Sequence, residues 1–314
     1  MNSVYLPKDF IQTEEGLIFA VVDQAIEQGK VLCFLRYVQQ GNQWKKISTH
    51  AANQLLQDKY SQYLFFSIEK SVALHAVDLQ SITVHHQPKQ KLQALLVKES
   101  PDIIEQDLID LCQIFLAQGI QLTELGVTGS ILIGAQNSSS DIDLVVYSRT
   151  VFHRLRALIK QLIQKQQLQQ LDDKAWQDSY QRRQCELSYA DYVWHEQRKY
   201  NKALVNQRKF DLSLLTLSEE SEQIKFQKQG IQRVQAKVVD AQYSYDYPTK
   251  FLIEHEQVSE VLCYTATYTG QAEQDEWIEV SGQLEVSSTG VARLIVGSSR
   301  EAEGEYIKVI KRCD

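Results

Sequence analysis

At 314 residues, 43% hydrophobic and 23% charged, the chain has the composition of a folded protein with room for two or three domains, which excludes global disorder. Its net charge of −7 excludes a generic basic nucleic-acid coat protein but permits an enzyme with a local basic groove. The apolar runs, such as Leu17 to Val22, are too short to span a bilayer, and Met1 to Phe10 lacks a basic-then-apolar leader. Five scattered cysteines (Cys33, Cys112, Cys185, Cys263 and Cys313) form no CxxC or Cys/His cluster. Together these features predict a cytoplasmic protein with reduced thiols and no zinc.

Met1 to about Leu95 reads mostly as short strands. LIFAVV (Leu17 to Val22) and VLCFLRYV (Val31 to Val38) have the spacing of a hairpin, and YLFFSI and SITVHH add further runs. Gln87-Pro88-Lys89 marks a boundary. From Pro101 to Gln118, apolar Ile104, Leu108, Leu111, Ile114 and Phe115 recur at helical spacing, with Ser100 as the predicted N-cap and Gly119 as the stop. Leu122 to Thr128 reads as a strand, Ser130 to Ala135 as a short helix, Gln136 to Ser140 as a turn. Thr150 is the predicted cap of a helix over Val151 to Leu171. Trp176 to Lys209 looks helical and polar, and KFDLSLL (Lys209 to Leu215) returns to strand alternation. From about Ile231 the runs VQAKVVDAQY, VLCYTATY, WIEVSGQLEV and ARLIVG alternate between glycines, which predicts a small antiparallel barrel or sandwich, an OB-like barrel included. The expected organisation is a β-rich module over 1–95, an α/β domain over 96–228 and a β-rich module over 229–314.

The stretch TGSILIGAQNSSSDIDLVVY, Thr128 to Tyr147, carries the chemistry. Asp141 and Asp143 are two apart, so on a strand they point to one face. Adjacent carboxylates repel, and a fold that keeps them together usually has a cation there. Mg²⁺ or Mn²⁺ suits such oxygen ligands, and paired ions roughly 3.5–4 Å apart serve phosphoryl transfer. Gly129 can bring backbone close to a phosphate, and Ser130 opens a helix whose amides and hydroxyl can hold one. An ordinary turn, with Ser140-Asp141 as turn chemistry, remains the alternative for each part alone.

Strand, Gly-Ser, short helix, turn, then Asp-x-Asp resembles the nucleotidyltransferase superfamily that includes DNA polymerase β, the CCA-adding enzymes and many small bacterial and archaeal transferases. Gly129, Ser130, Gly134, Asp141 and Asp143 carry the likeness, over about the central third of the chain. The whole layout is similar to uncharacterised, largely archaeal, predicted nucleotidyltransferases. The resemblance implies an α+β protein with a central polymerase-β-like domain, a mixed sheet with helices, flanked by the two β-rich modules. It implies that Gly129 and Ser130 cradle an NTP triphosphate. It implies metal at Asp141 and Asp143, with a third carboxylate from a neighbouring strand, best matched by Asp211; Glu186 and Asp191 are weaker matches. One departure stands out: Ile131-Leu132-Ile133-Gly134 is apolar where the family often has a basic or polar residue.

Tyr180 to Phe210 could supply the missing charge. It holds Arg182, Arg183, Arg198, Lys199, Lys202, Arg208 and Lys209, interleaved with Tyr189, Tyr192, Trp194 and Tyr200. Cations among aromatics suit phosphate contact and base stacking; an amphipathic helix with a solvated face fits equally well. Arg182, Arg183 and Lys202 are the candidates chosen from it for the nucleotide. The residues from Ile231 onward carry 8 Lys/Arg against 14 Asp/Glu, which disfavours them as the main nucleic-acid platform. The activity implied is transfer of an NMP from an NTP to a hydroxyl, with an RNA 3′ end, a protein or a small molecule as acceptor and with pyrophosphate released. Two alternatives stay open: a non-catalytic nucleotide- or RNA-binding protein on the same fold, and a regulatory transferase that modifies a partner protein.

Overall fold

The computed structural model describes residues 4–70, 72–216, 225–298 and 302–311; Cys313 lies outside them. The architecture is mixed α+β, as the sequence predicts. Contacts divide the chain into two compact units, residues 1–146 with 205–212 and residues 147–204 with 213–314.

In the first unit, Leu17–Glu27 and Lys30–Gln40 form the expected hairpin. They sit at the middle of a sheet whose outer strands are Leu64–Ser67 and Val84–His86. Side chains alternate across it, as a two-residue period requires. Ile11, Leu17 and Phe19 pack with Ala52 and Leu56 of the helix Thr49–Lys59. Phe10, Ile18 and Tyr37 pack instead with Leu132, and Ile133 lies against the same cluster. The apolar departure after Gly129-Ser130 therefore has a structural cause: this helical turn is the surface that the sheet covers. Ile131 is fully buried and Leu132 nearly so.

The helix Ile103–Ala117 follows its periodicity, with Leu108, Leu111 and Phe115 buried and Gly119 at φ 76° ending it. Its N-cap is Asp102, not Ser100. The Asp102 carboxylate accepts from the amides of Ile104 and Glu105, and Glu105 returns a bond from the Asp102 amide, closing a capping box. The strand Leu125–Thr128, shorter than expected because Leu122–Glu124 forms a 3₁₀ turn, runs antiparallel to Ile142–Val146. A Cβ on Gly126 would lie 2.7 Å from Pro88 Cβ, so only glycine lets the helix Pro88–Leu96 approach this strand. Arg208–Leu214 lies on the other side of Ile142–Val146.

In the second unit, Arg149–Gln164 is a helix capped by Ser148, whose hydroxyl reaches the Val151 amide, in place of the predicted Thr150. Helices Asp173–Arg183 and Tyr189–Lys199 replace the long helical run expected there. Five strands close a ring: Phe226–Asp240, Thr249–Glu254, Glu260–Cys263, Ala292–Val296 and Trp277–Ser287, the last pairing back onto the first. The barrel is thus realised, though Glu260–Cys263 and Ala292–Val296 run parallel rather than antiparallel. Bulges at Lys228/Gly230 and Val238/Asp240 bend the long first strand around it. Val234, Ala236, Phe251, Val261, Ile278 and Leu294 fill the interior.

Candidate active site

The register between two short strands builds the centre. Thr128 pairs with Asp143 across the Leu125–Thr128/Ile142–Val146 ladder. Immediately after Thr128 the chain enters the single helical turn Gly129–Leu132. Gly129 has φ 69°, and a Cβ there would lie 2.3 Å from Asp143 Oδ2. Glycine is required twice, for the left-handed backbone and for the space. Thr128 Oγ1 donates to the Lys8 carbonyl at 2.8 Å, tying the N-terminal segment to the same spot.

The turn before Asp141 is pinned from two sides. Ser130 Oγ donates to Ser140 Oγ at 3.1 Å, and the Asn137 amide donates to the same oxygen at 3.0 Å. Arg208 donates to the Ser140 carbonyl at 2.8 Å, to the Ser138 carbonyl at 3.2 Å and to Asp107 Oδ2 at 2.7 Å. Asp141 just precedes the strand, while Asp143 lies within it between buried Ile142 and Leu144.

The structure brings Asp141, Asp143 and Asp211 together with Gly129, Ser130 and Lys209. Burial, reinforced by the negative charges of Asp211 and Asp141, pushes the Asp143 carboxyl up to about 6; Lys209 and Lys8 pull the other way. Lys209 Nζ lies 3.0 Å from Asp141 Oδ2 and 3.0 Å from Asp211 Oδ2. Burial alone would lower its pKa, but Asp211 and Asp141 hold it above the ordinary value. A negative cluster of carboxylate oxygens that already draws in an ammonium fits a divalent cation in charge and in donor type. Among the described residues, no three His, Cys, Asp or Glu side chains converge at metal-binding distance.

The other nucleotide candidates belong to the second unit. Arg182 and Arg183 are exposed at the end of the Asp173–Arg183 helix, and Arg182 Nε donates to the Asp178 carbonyl. Lys202 is half-buried and pairs with Glu196, which also takes Lys199 at 2.5 Å. Against burial, which would raise it, Lys199 and Lys202 hold the Glu196 carboxyl far below its ordinary range. Arg198 lies over the Trp194 ring and bonds Glu276 at 2.6 Å. Much of the Arg/Tyr-rich segment therefore serves internal pairs and the aromatic core. Within it, Arg208 and Lys209 are the site residues that sequence reading left unassigned. A Lys-x-Asp on one strand face was the available signal for Lys209; nothing local marks Arg208.

A sequence model described as "Nucleotidyltransferase domain" matches residues 110–233, a stretch that holds Gly129, Ser130, Asp141, Asp143, Arg208, Lys209 and Asp211. The chain is 30% identical over 333 residues to "Uncharacterized protein MJ1086" of Methanocaldococcus jannaschii, covering 96% of this chain and 98% of that one. No solved structure matches significantly. Among the described residues, no helix is long and apolar enough to cross a membrane.

Proposed function

This chain belongs to the nucleotidyltransferase superfamily, and we propose that it is a metal-dependent enzyme that moves an NMP from an NTP to a hydroxyl acceptor. The observation that carries this reading is Asp143 set against Gly129, whose missing side chain leaves room for it, with the charges of Asp211 and Asp141 acting on its carboxyl and Lys209 bridging those two. A divalent cation bound there supplies charge for the triphosphate and lowers the pKa of the attacking hydroxyl. Asp141, Asp143 and Asp211 are the residues that would hold it. Gly129, set against Asp143, and Ser130, whose hydroxyl now donates to Ser140, are the residues proposed to grip the triphosphate. Arg208 keeps the Asn137–Ser140 turn, and hence Asp141, in place. The acceptor oxygen bonds to the α-phosphorus, the bond to pyrophosphate breaks, and the hydroxyl proton passes to solvent water.

An RNA 3′ end is the acceptor this reading favours. Its support is in the second unit: the exposed rings of Tyr247 and Tyr264 meet edge to face at 6.0 Å, and the Arg149 guanidinium lies 4.9 Å from the Tyr243 ring centroid. Exposed aromatics of this kind stack bases without sequence preference. The non-catalytic alternative drew on the apolar Ile131-Leu132-Ile133 turn, which packing on Phe10, Ile18 and Tyr37 now explains. The test is incubation of wild-type and Asp141→Ala/Asp143→Ala protein with each α-labelled NTP, Mg²⁺ or Mn²⁺, cellular RNA and lysate protein. Label entering RNA only with wild type supports the reading. Label entering protein instead makes the enzyme a protein-modifying transferase. Metal-dependent nucleotide binding without transfer makes it a binding protein.

A further inference from the structure

The cation between the carboxylates is the chain's own. Lys209 and Asp211 are two apart on the Arg208–Leu214 strand and so share a face, while Phe210 and Leu212 turn into the core. Lys209 spans from Asp211 to Asp141, 68 residues away in sequence and on the far side of the turn that Arg208 pins. Its side chain is only 14% exposed, so it is committed to this position rather than waving in solvent. An ammonium on a flexible four-carbon stem is a point charge that can leave, unlike a planar guanidinium locked by several bonds. A divalent ion bound by Asp141 and Asp211 would draw on the same two carboxylates that the ammonium now bridges. Two cations a few ångströms apart repel strongly in a half-buried site.

Resting on the metal-dependent reading above, we propose that Lys209 is a built-in stand-in for the metal. It holds Asp141 and Asp211 in place while the site has no divalent ion, and it yields those oxygens when one binds. The released ammonium is then available to the anionic triphosphate, which the apolar turn after Gly129-Ser130 cannot neutralise. Metal and NTP thereby help each other bind, because each favours the state in which Lys209 has let go of the carboxylates.

Mn²⁺ binding followed by electron paramagnetic resonance and calorimetry, with no NTP present, tests this without an activity assay. The proteins are wild type, Lys209→Met, Lys209→Arg and Asp143→Asn, each checked for folding by circular dichroism. Lys209→Met should bind Mn²⁺ about tenfold more tightly than wild type or better, since the competitor is gone. Lys209→Arg keeps a competing cation and should bind no more tightly than wild type. Adding a non-hydrolysable NTP should tighten Mn²⁺ binding to wild type and do so much less in Lys209→Met. Equal or weaker Mn²⁺ binding by a folded Lys209→Met overturns the proposal and leaves the metal site standing. If Lys209→Met fails to fold, a Lys209→Arg protein that binds Mn²⁺ more tightly than wild type overturns it, and one that binds Mn²⁺ no better and loses the NTP coupling supports it. Absence of Mn²⁺ binding from wild type and both Lys209 variants would instead remove the metal-dependent reading, and the proposal with it.

Discussion

Gly129 and Asp143 are in contact that no other residue pair of this type could make: a Cβ on residue 129 would fall 2.3 Å from Asp143 Oδ2. The Thr128–Asp143 strand pairing sets this closeness, and the left-handed backbone at Gly129 turns the chain away before it collides. Gly129→Ala must therefore push the Asp143 carboxylate aside or unwind the turn. We expect transfer to fall by about 100-fold, the usual cost of an ångström-scale misplacement of a catalytic group. The strained backbone should cost about 1–2 kcal/mol of stability. Transfer assays alongside urea unfolding check both; full activity in the alanine variant would show that Asp143 has another position open to it.

Asp143 is held among like charges. Its removal should therefore separate function from stability. Asp143→Asn eliminates a buried negative charge beside Asp211 and Asp141, so the metal-free protein should melt at a higher temperature than wild type. The same substitution should reduce transfer by orders of magnitude. Calorimetry without divalent metal, paired with the labelled-NTP assay, gives the comparison. A drop in melting temperature would mean that the Asp143 carboxylate contributes bonds that outweigh the repulsion.

Arg208 acts at a distance from the chemistry. It joins the Ile103–Ala117 helix, through Asp107, to the turn that delivers Asp141. Both partners of the ion pair are largely buried, 13% and 6% exposed. Breaking such a pair strands a buried carboxylate, so Arg208→Ala should cost about 3 kcal/mol. Transfer by the folded fraction should fall too, with Mn²⁺ affinity weakened because Asp141 loses its support. Arg208→Lys should recover part of the stability and little of the turn's order, since a lysine cannot serve two carbonyls and a carboxylate with one planar group. Equal recovery of both would reduce Arg208 to a plain ion pair.

The Gly129, Asp141 and Asp143 grouping could be read in the sequence because one local hairpin builds it, and strand period and turn chemistry are local rules. The N-caps were misplaced by two residues in each case, at Ser100 for Asp102 and Thr150 for Ser148. Neighbouring Ser, Thr and Asp residues compete as caps, and the winner is whichever side chain reaches the next amides. Sequence hides Arg208 because Asp107 lies 101 residues away, and it shows Lys209 beside Asp211 but not its second partner Asp141, 68 residues away. The apolar Ile131-Leu132-Ile133 run looked like a weakened phosphate grip, since sequence does not show that Phe10, Ile18 and Tyr37 fold back onto it. Alternation announced the strands of the second unit but not the parallel pair within the ring, because alternation carries no direction.

Two buried histidines should make the fold sensitive to acid. His75 Nδ1 accepts the Leu35 amide at 2.9 Å while Nε2 faces Asn53 Oδ1 at 2.8 Å, so the ring is neutral with its proton on Nε2. In the second unit, His195 Nε2 accepts the Val309 amide at 3.1 Å and Nδ1 faces the Asp191 carbonyl at 2.7 Å. Burial lowers both from 6.5 to about 4. As pH falls below 6.5, the unfolded chain takes up protons that the folded chain refuses, so the unfolded state gains. The stability these rings supply is fully present above that point and is lost progressively down to about pH 4. Asp143 works in the opposite direction between 3.8 and about 6, where the folded state binds the extra proton, and offsets part of the loss. We expect the urea midpoint to be flat near neutrality and to fall from about pH 6.5 downward. His75→Gln, which can still accept the Leu35 amide, should lower stability at pH 7 yet flatten the acid slope relative to wild type. An unchanged slope in that variant would mean that His75 takes up its proton inside the fold and that acid sensitivity arises elsewhere.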